Sequence, residues 1–295
     1  MRITVSGASG RIGSQLVERL RARGDEVTTL SRSGRDGAVR WDPMTEPAPA
    51  AALEHRDAVV HLAGEDVAQR WSADTKDAIR ESRELGTRNL VAGLSALAAD
   101  ARPKTLVSGS ASGYYGPRGA ESVSESEPPG VDFLAEVCVA WEHEAQAAEK
   151  LGIRVVRVRT GIVLDRDGGA LAKMLTPFRL GVGGPVAGGK QYMPWIHRDD
   201  EVGILNAAID NASWSGPVNA CAPNPVTNGE FSKALGRALH RPAIAPVPAF
   251  AIRLLYGEMA QIVTAGVRMV PSRALELGYA FAYPELDAAL AAALR

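Results

Sequence analysis

The feature that most constrains this chain lies between Arg2 and Gly24. A short apolar run, Arg2 to Ser6, leads into Gly7-Ala8-Ser9-Gly10-Arg11-Ile12-Gly13. Ile12, Leu16, Val17 and Leu20 then recur at helical spacing, and Gly24 supplies a stop. A strand, a glycine turn and a helix in that order form a cradle for an anion. The glycines let the backbone turn tightly, and the helix start offers free N–H donors at the positive end of its dipole. A pyrophosphate fits such a cradle, and the arrangement commits the chain to an α/β fold.

The rest of the first half follows suit. Glu26 to Ser31, Ala58 to Leu62, Thr105 to Ser108 and Ile153 to Val158 read as strands. Ser72 to Ala98 and Glu136 to Leu151 read as helices, and Gly86 and Gly93 would let the first of these pack closely on a sheet. Unbroken apolar runs such as Ala58–Leu62 fit strands buried on both faces. Alternating strands and helices predict a Rossmann-type, doubly wound parallel sheet.

After Leu164 the texture changes. Asp165 to Gly189 is glycine-rich with one helical stretch, and Thr227-Asn228-Gly229-Glu230 is a capping box before Phe231, Leu235 and Leu239. From Pro242 the chain is mostly helical, with one helix bracketed by Pro271 and Gly278 and a last one over Leu286–Leu294. The expected division is a nucleotide-binding domain over 1–164 and 198–223, and a smaller, mostly helical substrate or lid domain over 165–197 and 224–295. Gly181, Gly183 and Gly184 would give the Leu180–Gly189 segment the freedom of a lid.

Composition excludes several classes. Of 295 residues, 33 are basic and 34 acidic, a balance that argues against a nucleic-acid surface. Cys138 and Cys221 lie far apart and the histidines do not cluster, so neither a disulfide framework nor a metal site is expected. No stretch approaches the about 20 apolar residues of a membrane span, and no targeting signal is visible. A cytoplasmic protein with a small-molecule substrate is expected.

The spacing G-x-x-G-x-x-G resembles the short-chain dehydrogenase/reductase superfamily. At the end of the second strand, where NAD binders carry a carboxylate for the ribose, this chain has Ser31-Arg32-Ser33. A guanidinium there can pair with a 2′-phosphate, so NADP(H) is the expected cofactor. Further elements resemble the extended members: His61-Leu62-Ala63-Gly64; Leu85-Gly86-Thr87 with Arg83 where Asn is usual; Ser108-Gly109-Ser110-Ala111-Ser112-Gly113-Tyr114-Tyr115-Gly116; Arg159-Thr160-Gly161; and Trp195 to Asp200. Cys138-x-x-Trp141-Glu142, Leu180 to Pro185, Gln191 to His197 and the Pro271–Gly278 tail are similar to an atypical, epimerase-like branch with a C-terminal domain of unknown function. The resemblance implies cofactor contacts from Gly7, Ser9, Gly10, Arg11, Ile12, Gly13, Ser31, Arg32, Leu62, Ala63, Gly64, Arg83, Ser108 and Thr160.

One departure bears on chemistry. The superfamily uses Tyr-x-x-x-Lys on a helix, where the lysine cation lowers the tyrosine pKa. No tyrosine here has a lysine four residues later. Ser110 stands in the register of the superfamily's active serine, with Ser112 and Tyr114 close by in sequence; these are the candidate catalytic residues. A serine hydroxyl can hold a carbonyl but is a poor base without a partner. Glu142 reads as a salt-bridging or capping group, His143 as a surface residue and His197 as a structural hydrogen bond at a strand–helix junction. The expected activity is an atypical oxidoreductase or epimerase. The competing readings are a non-catalytic NADPH sensor or scaffold and a nucleotide-sugar epimerase.

Overall fold

The computed structural model describes residues 1–295. The first half runs β1 (Arg2–Ser6), α1 (Arg11–Ala22), β2 (Glu26–Ser31), β3 (Val39–Arg40), α2 (Ala50–Leu53), β4 (Ala58–His61), α3 (Ala73–Ser95) and β5 (Thr105–Ala111). It continues through β6 (Ser122–Val123), α4 (Phe133–Gln146) and β7 (Arg154–Thr160). The second half holds β8 (Ile162–Leu164), α5 (Gly169–Arg179), β9 (Tyr192–Met193), β10 (Trp195–His197), α6 (Arg198–Asp210), β11 (Gly216–Ala220), β12 (Val226–Thr227) and α7 (Asn228–Ala238). It closes with α8 (Ala249–Tyr256), α9 (Ala260–Thr264), β13 (Arg268–Met269), α10 (Ser272–Glu276) and α11 (Leu286–Ala293).

Seven strands form one parallel sheet in the order β11-β7-β5-β4-β1-β2-β3. Its faces are covered by different helices. Leu16, Val17 and Leu20 of α1 and Val202, Leu205 and Ile209 of α6 bury Ile3, Val5 and Val60 on one side. Leu90, Val91 and Leu94 of α3 and Ala145 of α4 cover Leu30, Val59, Leu106 and Val155 on the other. Both faces of each central strand are thus dry, which is why the strands read as apolar runs. After β1 the chain moves outward to β2 and β3, then returns to place β4 on β1's other side. The direction of winding reverses between β1 and β4, and a ligand crevice forms at the carboxyl ends of strands at such a point.

A third core lies outside the sheet. Leu171, Leu175 and Phe178 of α5, Phe231 and Leu235 of α7, and Leu286 and Leu290 of α11 pack around Trp195. The expected capping box opens α7: Glu230 N–H donates to Thr227 Oγ1 at 3.3 Å, and Thr227 N–H to Glu230 Oε2 at 2.7 Å.

Four expectations need correction. Helix α4 starts at Phe133 because Asp132 caps it, accepting from Ala135 N–H at 2.9 Å, and it tightens into a 3₁₀ turn over Ala147–Leu151. Strand β5 extends to Ala111. Gly86 and Gly93 pack not on the sheet but on the segment that follows β3: a Cβ on Gly93 would collide with the Ala48 backbone, and one on Gly86 would touch Pro43. Gly183 and Gly184 are buried, and a Cβ on either would collide with the Phe178 ring or the Ala245 carbonyl. Those two glycines permit close packing rather than free motion.

Candidate functional site

The crevice begins at the loop between β1 and α1. Gly7 has φ of +70°, and a Cβ there would lie 2.7 Å from the Leu62 carbonyl carbon. At Gly13 a Cβ would collide with the Gly7 carbonyl, so the turn closes only on glycine. Helix α1 has no side-chain cap at Gly10 and no acidic residue in its first turn. The N–H groups of Arg11, Ile12 and Gly13 find no protein acceptor. Ser9, Gly10 and Arg11 are exposed at the rim, and the Arg11 side chain lies against Gly168 before α5. Asp199 holds α1 to α6, accepting from Gln15 Nε2 at 2.6 Å and pairing with Arg19.

At one end of the crevice, Ser31 Oγ accepts from Gly34 N–H at 3.0 Å, and Arg32 is exposed. On the other side of β1, Leu62-Ala63-Gly64 follow β4. His61 is buried with Nδ1 2.6 Å from Ser6 Oγ, and burial pushes its pKa down to about 4, so the ring is neutral. Beside it the Arg83 guanidinium lies between Gly64, where a Cβ would sit 3.2 Å from Arg83 Cζ, and the Trp141 ring, 5.2 Å away. Its one protein acceptor is the Ile79 carbonyl at 3.1 Å, and desolvation lowers its pKa.

Ser108, Ser110, Ser112 and Tyr114 follow one another along β5 and the turn after it, with different surroundings. Ser108 is fully buried and donates to the Gly109 carbonyl at 3.1 Å. Ser110 Oγ donates to Glu142 Oε1 at 2.7 Å. Ser112 and Tyr114 are half-buried in the 3₁₀ turn Ser112–Tyr115. The Glu142 carboxylate is clamped by Arg159, with Nε 2.7 Å from Oε1 and Nη2 2.9 Å from Oε2. Arg159 also lies 3.4 Å from the centre of the Tyr114 ring and donates to the Tyr115 hydroxyl at 2.8 Å. Burial alone would lower the Arg159 pKa; the Glu142 pair outweighs it and raises it.

The network continues to the C-terminal segment. Tyr115 OH donates to Asn219 Oδ1 at 2.6 Å, and Asn219 Nδ2 donates to the Val270 carbonyl at 2.9 Å. That carbonyl can only accept, so it fixes which way the amide faces, and each later bond inherits its direction. Desolvation raises the Tyr115 pKa above the ordinary phenol value, so it stays protonated. The Cys138 thiol is buried beside the same turn, and burial pushes its pKa up to about 12. Thr160 Oγ1 donates to Glu201 Oε1 at 2.8 Å; Glu201 is fully buried, its other oxygen has no partner, and burial pushes its pKa up to about 8.

Glu142 is thus salt-bridged, His143 is exposed, and His197 accepts from Asp199 N–H as the cap of α6. Sequence reasoning missed the Ser110–Glu142 bond, the Arg159 side chain, Tyr115, Asn219 and Glu201. Glu142 reads in sequence as a salt-bridging or capping group, but no local spacing pairs it with Arg159, which stands one residue past the expected strand. No group of three or more His, Cys, Asp or Glu is placed to hold a metal ion, and no helix is long and apolar enough to cross a membrane.

A parallel sheet with a glycine loop and an uncapped helix at its switch point defines an α/β protein of the dinucleotide-binding class. The chain belongs to the NAD dependent epimerase/dehydratase family, whose pattern matches residues 3–221; residues 247–293 match a domain of unknown function, DUF1731. It is similar to the chloroplastic homolog of epimerase family protein SDR39U1 from Arabidopsis thaliana, at 41% identity over 303 residues, 100% of this chain and 87% of the relative. It superimposes on the crystal structure of human epimerase family protein SDR39U1, isoform 2, with NADPH at a TM-score of 0.91, 36% identity and full coverage of both chains. A nucleoside-diphosphate sugar epimerase from Corynebacterium glutamicum matches at a TM-score of 0.82 and 35% identity, over 100% of this chain and 58% of that one.

Proposed function

We propose that the chain is an NADP(H)-dependent oxidoreductase or epimerase-like enzyme with an atypical proton-transfer site. The observation that carries the cofactor is the unsatisfied start of α1 beneath a loop that closes only with glycine at Gly7 and Gly13, with a guanidinium and no carboxylate at the end of β2. Those residues fit a pyrophosphate and a 2′-phosphate, and the human relative was solved with NADPH. Gly7, Ser9, Gly10, Arg11, Ile12 and Gly13 would hold the pyrophosphate, Ser31 and Arg32 the 2′-phosphate. Leu62, Ala63, Gly64, Arg83, Ser108 and Thr160 would line the remainder. The nicotinamide, when bound, exchanges a hydride at C4 with a carbinol or carbonyl carbon.

The chain's own part is to hold the substrate oxygen. With its proton engaged by Glu142, Ser110 is left with lone pairs that accept from a substrate hydroxyl. Ser112 and Tyr114, on the adjoining turn, are the further candidate hydroxyls. Residues 165–197 and 224–295 would enclose a small polar substrate; with Gly183 and Gly184 packed, a closure of Leu180–Gly189 over the nicotinamide end would turn at Gly181 and Gly188, which have open space around them. The absence of Tyr-x-x-x-Lys favours the second reading, a sensor in which cofactor binding alters a partner contact. It also counts against a nucleotide-sugar epimerase, despite the name of the Corynebacterium relative.

Calorimetric titration tests the cofactor assignment. A charged hydrogen bond contributes about 1.5–3 kcal/mol, so NADPH should bind at least roughly tenfold more tightly than NADH. Arg32→Asp should erase the difference, and equal affinities in the unaltered protein would overturn the assignment. Stereospecific turnover of any substrate separates enzyme from sensor.

A further inference from the structure

Strand β3 is two residues long and lies parallel to β2, with Val39 beside Leu30 and Arg40 beside Ser31. Registered residues on neighbouring strands point to the same face of a sheet. Leu30 belongs to the core under α3, and Val39 packs against that same core. Ser31 and Arg40 therefore share the opposite face, the side of α1, where Val27 meets the first core. Ser31 occupies the position from which a nucleotide-binding sheet reads the adenosine ribose. The residue beside it is a guanidinium, exposed to solvent.

The backbone around Arg40 is closely held. Trp41 N–H donates to the Ser31 carbonyl at 2.9 Å, extending the ladder past Arg40. Gly34 turns back with φ of +64°, and a Cβ there would lie 3.1 Å from Arg40 Cβ. The loop from Ser31 to Gly34 is thereby wrapped over the base of the Arg40 side chain, with Arg32 on the same loop. The nearest acid in sequence after it, Asp42, is turned to the Met44 N–H at 3.1 Å.

We propose that Arg40 is a second ligand of the cofactor's 2′-phosphate, facing Arg32 across Ser31, so that the preference for NADP(H) rests on two guanidinium groups. The inference depends on the NADP(H) reading above. A dianionic phosphate has enough acceptor oxygens for both groups, and each guanidinium offers a planar fork of donors that matches them.

Calorimetric titration of the full chain with NADPH and with NADH tests it, using the unaltered protein, Arg40→Ala, Arg40→Lys and, as a loop control, Arg35→Ala. Arg40→Ala should weaken NADPH about tenfold while leaving NADH within about twofold. Arg40→Lys should recover part of the loss, and Arg35→Ala should leave the NADPH-to-NADH ratio unchanged. An unchanged ratio in Arg40→Ala, or an equal loss for both nucleotides, overturns the role of Arg40 alone. A wild-type protein that does not distinguish the nucleotides removes the NADP(H) reading and this inference with it.

Discussion

Ser110 and Glu142 are 32 residues apart in sequence and 2.7 Å apart in space, the hydroxyl donating to a carboxylate that Arg159 holds from its other side. Glu142 and Arg159 are both almost wholly buried. A buried pair of this kind costs desolvation, and breaking it leaves one charge stranded. Glu142→Ala should therefore destabilise the chain by about 3–5 kcal/mol. Replacing both partners, Glu142→Leu with Arg159→Met, should recover much of that loss. Urea unfolding of the three proteins measures both effects; a single variant as stable as the wild type would mean the pair is not a structural constraint.

A second buried carboxyl makes a pH prediction with a definite sign. Burial raises Glu201 from the ordinary 4.5 to about 8. Between those values the unfolded chain has released a proton that the folded chain retains. Stability attributable to Glu201 is thus full below pH 4.5 and falls as pH rises toward 8, with a limiting slope of about 1.4 kcal/mol per pH unit. Glu201→Gln keeps an acceptor for Thr160 and removes the titration. Its stability relative to wild type should increase steadily across that window and level off above it. Equal slopes for the two proteins would place the folded-state pKa near its ordinary value.

The glycines on either side of Pro185 yield a third prediction. A side chain at Gly184 would meet the Ala245 carbonyl, whereas Gly188, with φ of +82°, has open space around it. Gly184→Ala should be the more damaging, by roughly 1–3 kcal/mol of overpacking. Gly188→Ala should cost less, about 1–2 kcal/mol for a left-handed backbone. Hydrogen exchange over Leu180–Gly189 with and without NADPH then tests closure. Unaltered protection at saturating NADPH would argue against a lid.

Five strands of the sheet were legible because they are short runs rich in apolar residues between turn signals, and the glycine loop because its backbone closes only with glycine at Gly7 and Gly13. Strands β3 and β11 were not: Val39 and Arg40 carry no periodicity and pair only through β2, and Gly216–Ala220 carries a proline and an asparagine in a five-residue run. The role of Gly184 was misread for a related reason: a glycine that admits a neighbouring backbone looks in sequence like one that loosens its own. Gly93 reads correctly as a close-packing glycine, but its neighbour is the Ala48 backbone rather than the sheet. The candidate site was half legible. Ser110 follows from its place in a motif, but Glu142, Arg159, Tyr115 and Asn219 converge from α4, β7, the turn after β5, and β11. No local spacing relates them. The Val270 carbonyl that orients Asn219 comes from the far end of the chain.

Ser110 itself offers the sharpest test of what the site does. Its hydroxyl is engaged by Glu142 and makes no hydrogen bond to the glycine loop, Arg32 or Arg83, which would carry the cofactor. Ser110→Ala should leave NADPH affinity nearly unchanged, because none of those groups depends on it. It removes one of the bonds to Glu142 but leaves both Arg159 contacts, so the fold should survive. Without a lysine-tuned phenol the site lacks a group that typically contributes about 10²–10⁴-fold, so ordinary sugar, steroid and short-alcohol substrates should give little turnover even in the wild type. For any substrate that is turned over, Ser110→Ala should lower kcat, since the oxygen that must lose or gain a proton is no longer oriented. Fluorescence titration of NADPH and stopped-flow hydride transfer on the same variant separate the two effects. Unchanged turnover would remove Ser110 from the chemistry, and fast turnover of ordinary substrates by the wild type would overturn the atypical site altogether.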